Sequence, residues 1–189
     1  MEGITVAAVT HEVFVNEGLF GLLDAGEVPA QSADWSNGFV APMSEGALIA
    51  TGINTGLVRV TIQQRHANMP DQPADGWEEI VEASVHAPAG KLAVESLELG
   101  PLADDSAILS PAGPAWYRVR VHARGRALHF DGVSMEPVEA YFIVTWPALP
   151  AKTIIMRTSE RIERNLRTQP LEQASPPDTD LDPPSPKPR

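Results

Sequence analysis

The side chains of this 189-residue chain that are best suited to chemistry are five histidines, 11 arginines and an acid-rich stretch around one tryptophan. His122 and His129, with Asp131, Glu136 and Glu139, form the densest set of possible metal ligands. A metal-dependent enzyme built on His122, His129 and Glu136 is one function they would support. Their spacing, however, matches neither His-x-His nor His-Glu-x-x-His, so they read as a strand residue and solvated loop residues, and no metal is expected. His11 and Glu12 are neighbours on a predicted strand and therefore point to opposite faces. His66 and His86 read as loop and strand-end residues. The chain also lacks Gly-x-Ser-x-Gly, a phosphate-cradling Gly-x-x-x-x-Gly-Lys and a dinucleotide-binding glycine fingerprint. With no cysteine there is no thiol nucleophile, disulfide framework or thiolate-ligated cluster. The expectation is a protein without enzymatic activity and without a cofactor.

Two charged constellations remain. Arg118, Arg120 and Arg124 lie at alternate or near-alternate positions of one segment and would make a cationic patch for phosphate or carboxylate. Alternatively, they pair across a sheet with Glu78 and Glu82, and this internal use is the favoured reading. The segment DQPADGWEEIVE sets Asp71, Asp75, Glu78, Glu79 and Glu82 around Trp77. Carboxylates flanking an aromatic anchor suit a basic protein partner, because charge steers encounter and the ring supplies a hot spot. Trp77 at a strand start is also an ordinary core residue, and charge runs are usually solvated, which is the favoured reading. Trp35 behind Asp34 repeats the pattern in weaker form.

The elements that must position these groups read as strands. Val58, Val60 and Ile62 alternate with Arg59, Thr61 and Gln63, and Tyr117, Val119 and Val121 alternate with Arg118, Arg120 and His122. Such alternation places one set in a core and the other in water. Val81, Ala83 and Val85 share a face opposite Glu78, Glu82, Ser84 and His86. The run EAYFIVTWP is more continuously apolar and suits a central strand. Further strands are expected at residues 4–9, 12–15, 38–43, 47–51, 92–97 and 152–156, separated by Gly, Pro and Asp turn signals. The fold class predicted is all-β: an antiparallel β-sandwich of short strands filling residues 1–167, with one short helix at 158–167. Residues 168–189, in which seven of 22 positions are proline, are read as a disordered tail.

The net charge of −11 is unevenly distributed. Residues 1–115 carry 16 acidic and three basic groups, residues 116–167 carry five and nine, and the tail carries four and two. This acidity argues against direct nucleic-acid binding and against an anionic membrane surface. No apolar run approaches a membrane span and no secretory leader is evident, so a cytoplasmic location is expected.

The order of elements resembles the competence protein J (ComJ) family, small β-rich proteins whose characterised type inhibits a partner DNA-entry nuclease. The resemblance spans residues 5–148. It runs through VTHEVFVNEG, the Trp-bearing turn DWSNGF, the strand APMSEGALIATG, the entry GWEEIVEASV and KLAVESL. It continues through Pro111-Ala112-Gly113 before AWYRVRVHARGR and ends in EAYFIVTWPA. It is a fold-level likeness and carries no inhibitory residue across. It implies a non-enzymatic inhibitor or immunity protein for a nuclease or similar toxin, with a basic protein as partner. The competing reading is a structural protein that assembles into homo-oligomers through its sheets, with the tail as a tether.

Overall fold

The computed structural model describes residues 7–66, 75–102 and 107–160. Asp71, residues 161–167 of the expected helix and the tail at 168–189 lie outside the described residues. Among the described residues twelve strands appear in chain order: β1 (Val9–Val15), β2 (Leu19–Asp24), β3 (Val40–Pro42), β4 (Ala47–Ala50), β5 (Thr55–Gln64) and β6 (Glu79–Ala87). They continue with β7 (Leu92–Ser96), β8 (Gly100–Pro101), β9 (Ala115–Arg124), β10 (Val133–Ser134), β11 (Ala140–Pro147) and β12 (Ile154–Arg157). A larger sheet runs β1-β5-β11-β9-β6-β12, with β10 added beside β5, and a smaller one runs β3-β4-β2-β7-β8.

The two sheets share one hydrophobic core, built from the alternation legible in the sequence. Val58, Val60 and Ile62 of β5, Val81, Ala83 and Val85 of β6, Tyr117, Val119 and Val121 of β9, and Tyr141 and Ile143 of β11 all point inward. They meet Phe20, Leu22, Ile49, Leu92 and Val94 of the smaller sheet in the same cluster. Phe20 meets Tyr141 edge to face, with ring centroids 5.3 Å apart, a favoured aromatic geometry that couples the sheets. Each such aliphatic side chain withdrawn from water contributes about 1.5–3 kcal/mol before the entropy of ordering is subtracted.

Three expectations need correcting. First, the larger sheet is mixed: β11 runs parallel to β5, with Val60 opposite Tyr141 and Ile62 opposite Ile143. This parallel seam joins two antiparallel blocks, and alternation carries no information about strand direction. Second, β2 was not among the expected strands, although it is the middle strand of the smaller sheet. Its sequence LFGLLD is buried at every position after the first, so it has no polar set to alternate with. Third, Val9–Val15 is one continuous strand where a break at residues 10–11 was expected, and residues 4–6 of the expected first strand lie outside the described residues.

The junction between the two blocks is held by Glu139. Its buried carboxylate accepts the backbone N–H of Gly52 (2.9 Å) and of Ile53, and the hydroxyl of Tyr141. Tyr141 lies in the core beside it, and burial pushes its phenol well above the usual range, so it stays a hydrogen-bond donor at all ordinary pH. Gly52 is required by space, because a Cβ there would stand 1.9 Å from the Arg126 carbonyl oxygen. Replacing Glu139 by Ala strands three buried donors at once and is expected to destabilise the fold by about 3–5 kcal/mol. Urea unfolding monitored by circular dichroism measures this, and Glu139→Gln should retain part of the loss.

Candidate functional site

Arg118 and Arg120 project from β9 on the side away from the core, as Glu82 does from the neighbouring β6, where it stands opposite Arg120. One oxygen of Glu82 accepts Nε (3.1 Å) and Nη2 (2.8 Å) of Arg118, while the other accepts Nε (3.0 Å) and Nη2 (2.8 Å) of Arg120. All three side chains are buried. The internal pairing weighed from the sequence is therefore realised for Glu82, and Arg118 and Arg120 form no surface patch.

What covers this outer face is the chain itself. After β11, Ala148 donates to the Trp116 carbonyl (3.1 Å), and residues 148–153 then cross β9 and β6 to reach the sheet edge, where β12 pairs with β6. Arg118 Nη1 donates to the carbonyls of Ala151 (3.1 Å) and Lys152 (3.2 Å), and Ser84 Oγ accepts the Ala151 N–H (2.9 Å). The strap takes up Nη1 of Arg118 and covers the pair, which is why an alternating pattern that implied a wet face gives a buried one.

Glu79 is also withdrawn. It faces Arg126, whose Nη1 donates to it, and it accepts the Ser159 hydroxyl. Arg126 lies over the Phe39 ring with its guanidinium carbon 4.5 Å from the centroid. Glu79 and Glu82 are thus unavailable to a partner. Of the other acidic and aromatic candidates, Asp75 and Glu78 are exposed and Trp77 is half-buried. Trp77 stacks with Phe142 (6.1 Å) and contacts the ring of His122 (5.6 Å), and exposed Arg124 caps it from above at 5.1 Å.

The histidines are not gathered into a site. His122 is buried on the sheet and donates through Nδ1 to the Phe142 carbonyl at 2.9 Å, whereas His129 is exposed in the β9–β11 loop. Among the described residues no group of three His, Asp or Glu side chains is arranged to hold a metal ion. Burial lowers the pKa of His122, the Phe142 hydrogen bond opposes that in part, and Arg120 and Arg157 lower it further.

The feature not read from the sequence is that same loop. Leu128 is 69% exposed, Phe130 56%, Val133 69% and Met135 61%, four large apolar side chains within eight residues. Their backbone is nonetheless firmly held. Asp131 donates to the Gly52 carbonyl (2.8 Å), Asn54 to the Gly132 carbonyl (2.8 Å), and β10 pairs with β5. Gly125, at the loop's start, donates to Glu78 Oε2 at 3.0 Å, so the loop and the Trp77 site belong to one end of the molecule. The sequence signal was present: apolar residues flank Asp131-Gly132 without continuing either adjacent core strand. Apolar side chains on a preordered backbone, rimmed by exposed Asp131 and Glu136, are the composition of a protein-binding hot spot.

No family model and no curated protein sequence matches the chain. Among solved structures, the fold is similar to that of ComJ, inhibitor of the DNA degrading activity of NucA, from Bacillus subtilis. The TM-score is 0.50 and the identity 14%, over 78% of this chain and 100% of that one. The protein of crocagin biosynthetic gene J is also similar, with a TM-score of 0.49 and 18% identity over 76% of this chain and 100% of that one. No helix among the described residues is long and apolar enough to cross a membrane.

Two outcomes follow from this geometry. Glu82→Ala leaves two buried guanidinium groups without their shared anion and is expected to cost about 3–5 kcal/mol, read by chemical denaturation. The lowered pKa of His122 means that the unfolded chain takes up a proton first as pH falls through about 6.5. Stability is therefore fully present above that pH and declines below it, with a slope of up to about 1.4 kcal/mol per pH unit from this group. Substituting His122→Phe should flatten that part of a stability–pH curve.

Proposed function

We propose that this chain is a non-enzymatic β-sandwich that binds and neutralises another protein, a nuclease or comparable toxin, in the cytoplasm of the producing cell. The observation that carries this reading is the loop between β9 and β11, which holds Leu128, Phe130, Val133 and Met135 in water on an anchored backbone. Holding such side chains preordered lowers the entropy lost on binding, so a small apolar surface can anchor a complex. Glu78, Asp131 and Glu136 at the same end supply the negative charge that would steer a basic partner and stand in for the phosphates of its substrate. The similar fold of a protein described as inhibiting a nuclease supports the same partner class.

A DNA-cleavage assay of the nuclease or toxin encoded beside this gene tests the proposal. Equimolar protein should suppress cleavage, and raising salt should slow association. Phe130→Asp and Leu128→Asp should each weaken inhibition about 30- to 100-fold, equivalent to about 2–3 kcal/mol, with an unchanged thermal midpoint because neither side chain is in the core. Full cleavage at equimolar protein would sink the inhibitor reading.

One observation favours self-assembly as the second reading. All four residues of β12 are exposed, including Ile154, Ile155 and Met156, and among the described residues no strand pairs with its outer edge. Such an edge is a template for strand addition. Light scattering at micromolar concentration should report a dimer under this reading, and Ile155→Lys should return it to a monomer.

A further inference from the structure

The smaller sheet carries a second site, unrelated to the loop and independent of the inhibitor reading. On β7, Leu92 and Val94 enter the core, so Ala93 and Glu95 face the other side of the sheet. There they line a cavity of about 340 Å³ whose other walls, among the described residues, are Ala25, Gly26, Lys91, Pro101, Leu102, Ala107 and Ile108. Glu95 is 6% exposed, and among the described residues no ion pair or hydrogen bond engages its carboxylate. Every other buried acid among the described residues is matched: Asp24 by the N–H groups of Ala89 and Lys91, Glu79 by Arg126, Glu82 by two arginines, and Glu139 by three donors. Glu95 alone is left to the cavity.

The position of the carboxylate is set by its neighbours. Glu95 stands opposite Gly21 on β2 and Pro101 on β8, so neither adjacent strand brings a polar side chain alongside it. Its Oε2 lies 3.8 Å from the point where a side chain on Gly26 would begin, and Gly26 is itself a wall of the cavity. Lys91, just before β7, lines the same cavity and forms no ion pair with Glu95. Backbone bonds tie one side of the cavity together. Ala25 donates to the Lys91 carbonyl, Leu109 to the Leu92 carbonyl at 2.6 Å, and Ala93 bridges to Ile108.

We propose that this cavity is a binding site for a primary ammonium group on a short apolar stem, with the Glu95 carboxylate as its counter-ion and the alanine, proline, leucine and isoleucine walls holding the stem. A carboxylate drawn largely out of water with no protein partner carries a desolvation cost, and a cation is the ligand that offsets it. A carboxylate or phosphate ligand would add a second like charge, and a neutral ligand would leave the first uncompensated. At roughly 30 Å³ per heavy group the cavity admits on the order of ten of them, enough for an alkylammonium of about five carbons and some water. Burial raises the pKa of Glu95, and an amine that is protonated at neutral pH draws the group back to its charged form. The ammonium could belong to a free small amine or to the lysine side chain of a partner protein, which present the same chemistry.

Titration of the full-length protein with n-pentylamine, n-pentanol and pentanoate at pH 7, followed by amide chemical shifts of Gly26, Ala93 and Ala107, tests the site. The amine should saturate with an affinity at least tenfold above that of the alcohol, and pentanoate should not bind. Glu95→Gln should erase the preference for amine over alcohol. The same substitution should raise the thermal midpoint, because the folded state no longer holds a carboxylate away from water above its unfolded pKa. Ala93→Leu fills the cavity with Glu95 intact and should abolish binding of the amine. Acetyl-lysine-amide separates the sources: tighter binding than pentylamine points to a lysine side chain, weaker binding to a free amine, and either supports the site. Equal affinities for amine and alcohol, a preference surviving in Glu95→Gln, or no saturation by the amine would each overturn it.

Discussion

The arrangement of the larger sheet depends on one carboxylate shared between two arginines. Glu82 holds Arg118 and Arg120 on the face of the sheet away from the core, and all three are buried. Two guanidinium groups cannot be taken from water without an anion between them and acceptors for their remaining N–H groups. Glu82 provides the first, and the carbonyls of Ala151 and Lys152 provide part of the second. The strap at 148–153 is therefore both the cover of the ion pair and a component of it. It also delivers β12 to the edge beside β6, so the end of the sheet follows from the same interaction.

Internal pairing changes what the acidic composition means. Asp24, Glu79, Glu82, Glu95 and Glu139 are all buried, and four of the five serve as acceptors for backbone or arginine donors. The negative charge that a partner would meet comes instead from loop and turn residues such as Asp75, Glu78, Asp131 and Glu136. These gather with the exposed apolar side chains of the β9–β11 loop at one end of the molecule. The fifth buried acid, Glu95, sits on the other sheet in a cavity of its own. Two surfaces with different chemistry thus belong to different sheets.

Much of the strand content was legible because one face of each strand is apolar. Val58-x-Val60-x-Ile62 and Tyr117-x-Val119-x-Val121 point inward as their spacing requires. The run Pro111–Arg118 also has a physical basis. The Tyr117 hydroxyl donates to the Gly113 carbonyl at 2.7 Å and accepts the Ala112 N–H at 3.1 Å, pinning the turn to the strand it precedes. The candidate site was less legible. Glu79 and Glu82 sit in an acid-rich stretch that reads as a solvated surface, and only the arginines brought opposite them by β9 and the β9–β11 loop remove them from it. The exposure of Leu128 and Phe130 is not legible for a different reason, since the type of an apolar residue does not say whether it lies in a core or on the surface.

By itself the sequence determined the inward set of side chains, the turns and the predominance of strands, because these depend on local periodicity and on backbone restrictions at Gly and Pro. Only the tertiary structure decided the parallel seam between β5 and β11, the central place of β2 and the burial of an ion pair on an outer face. Those features depend on which distant segments meet. Strand direction is not encoded in alternation, a strand buried on both sides has no alternation to show, and a charge is costly or harmless according to what chain later crosses over it.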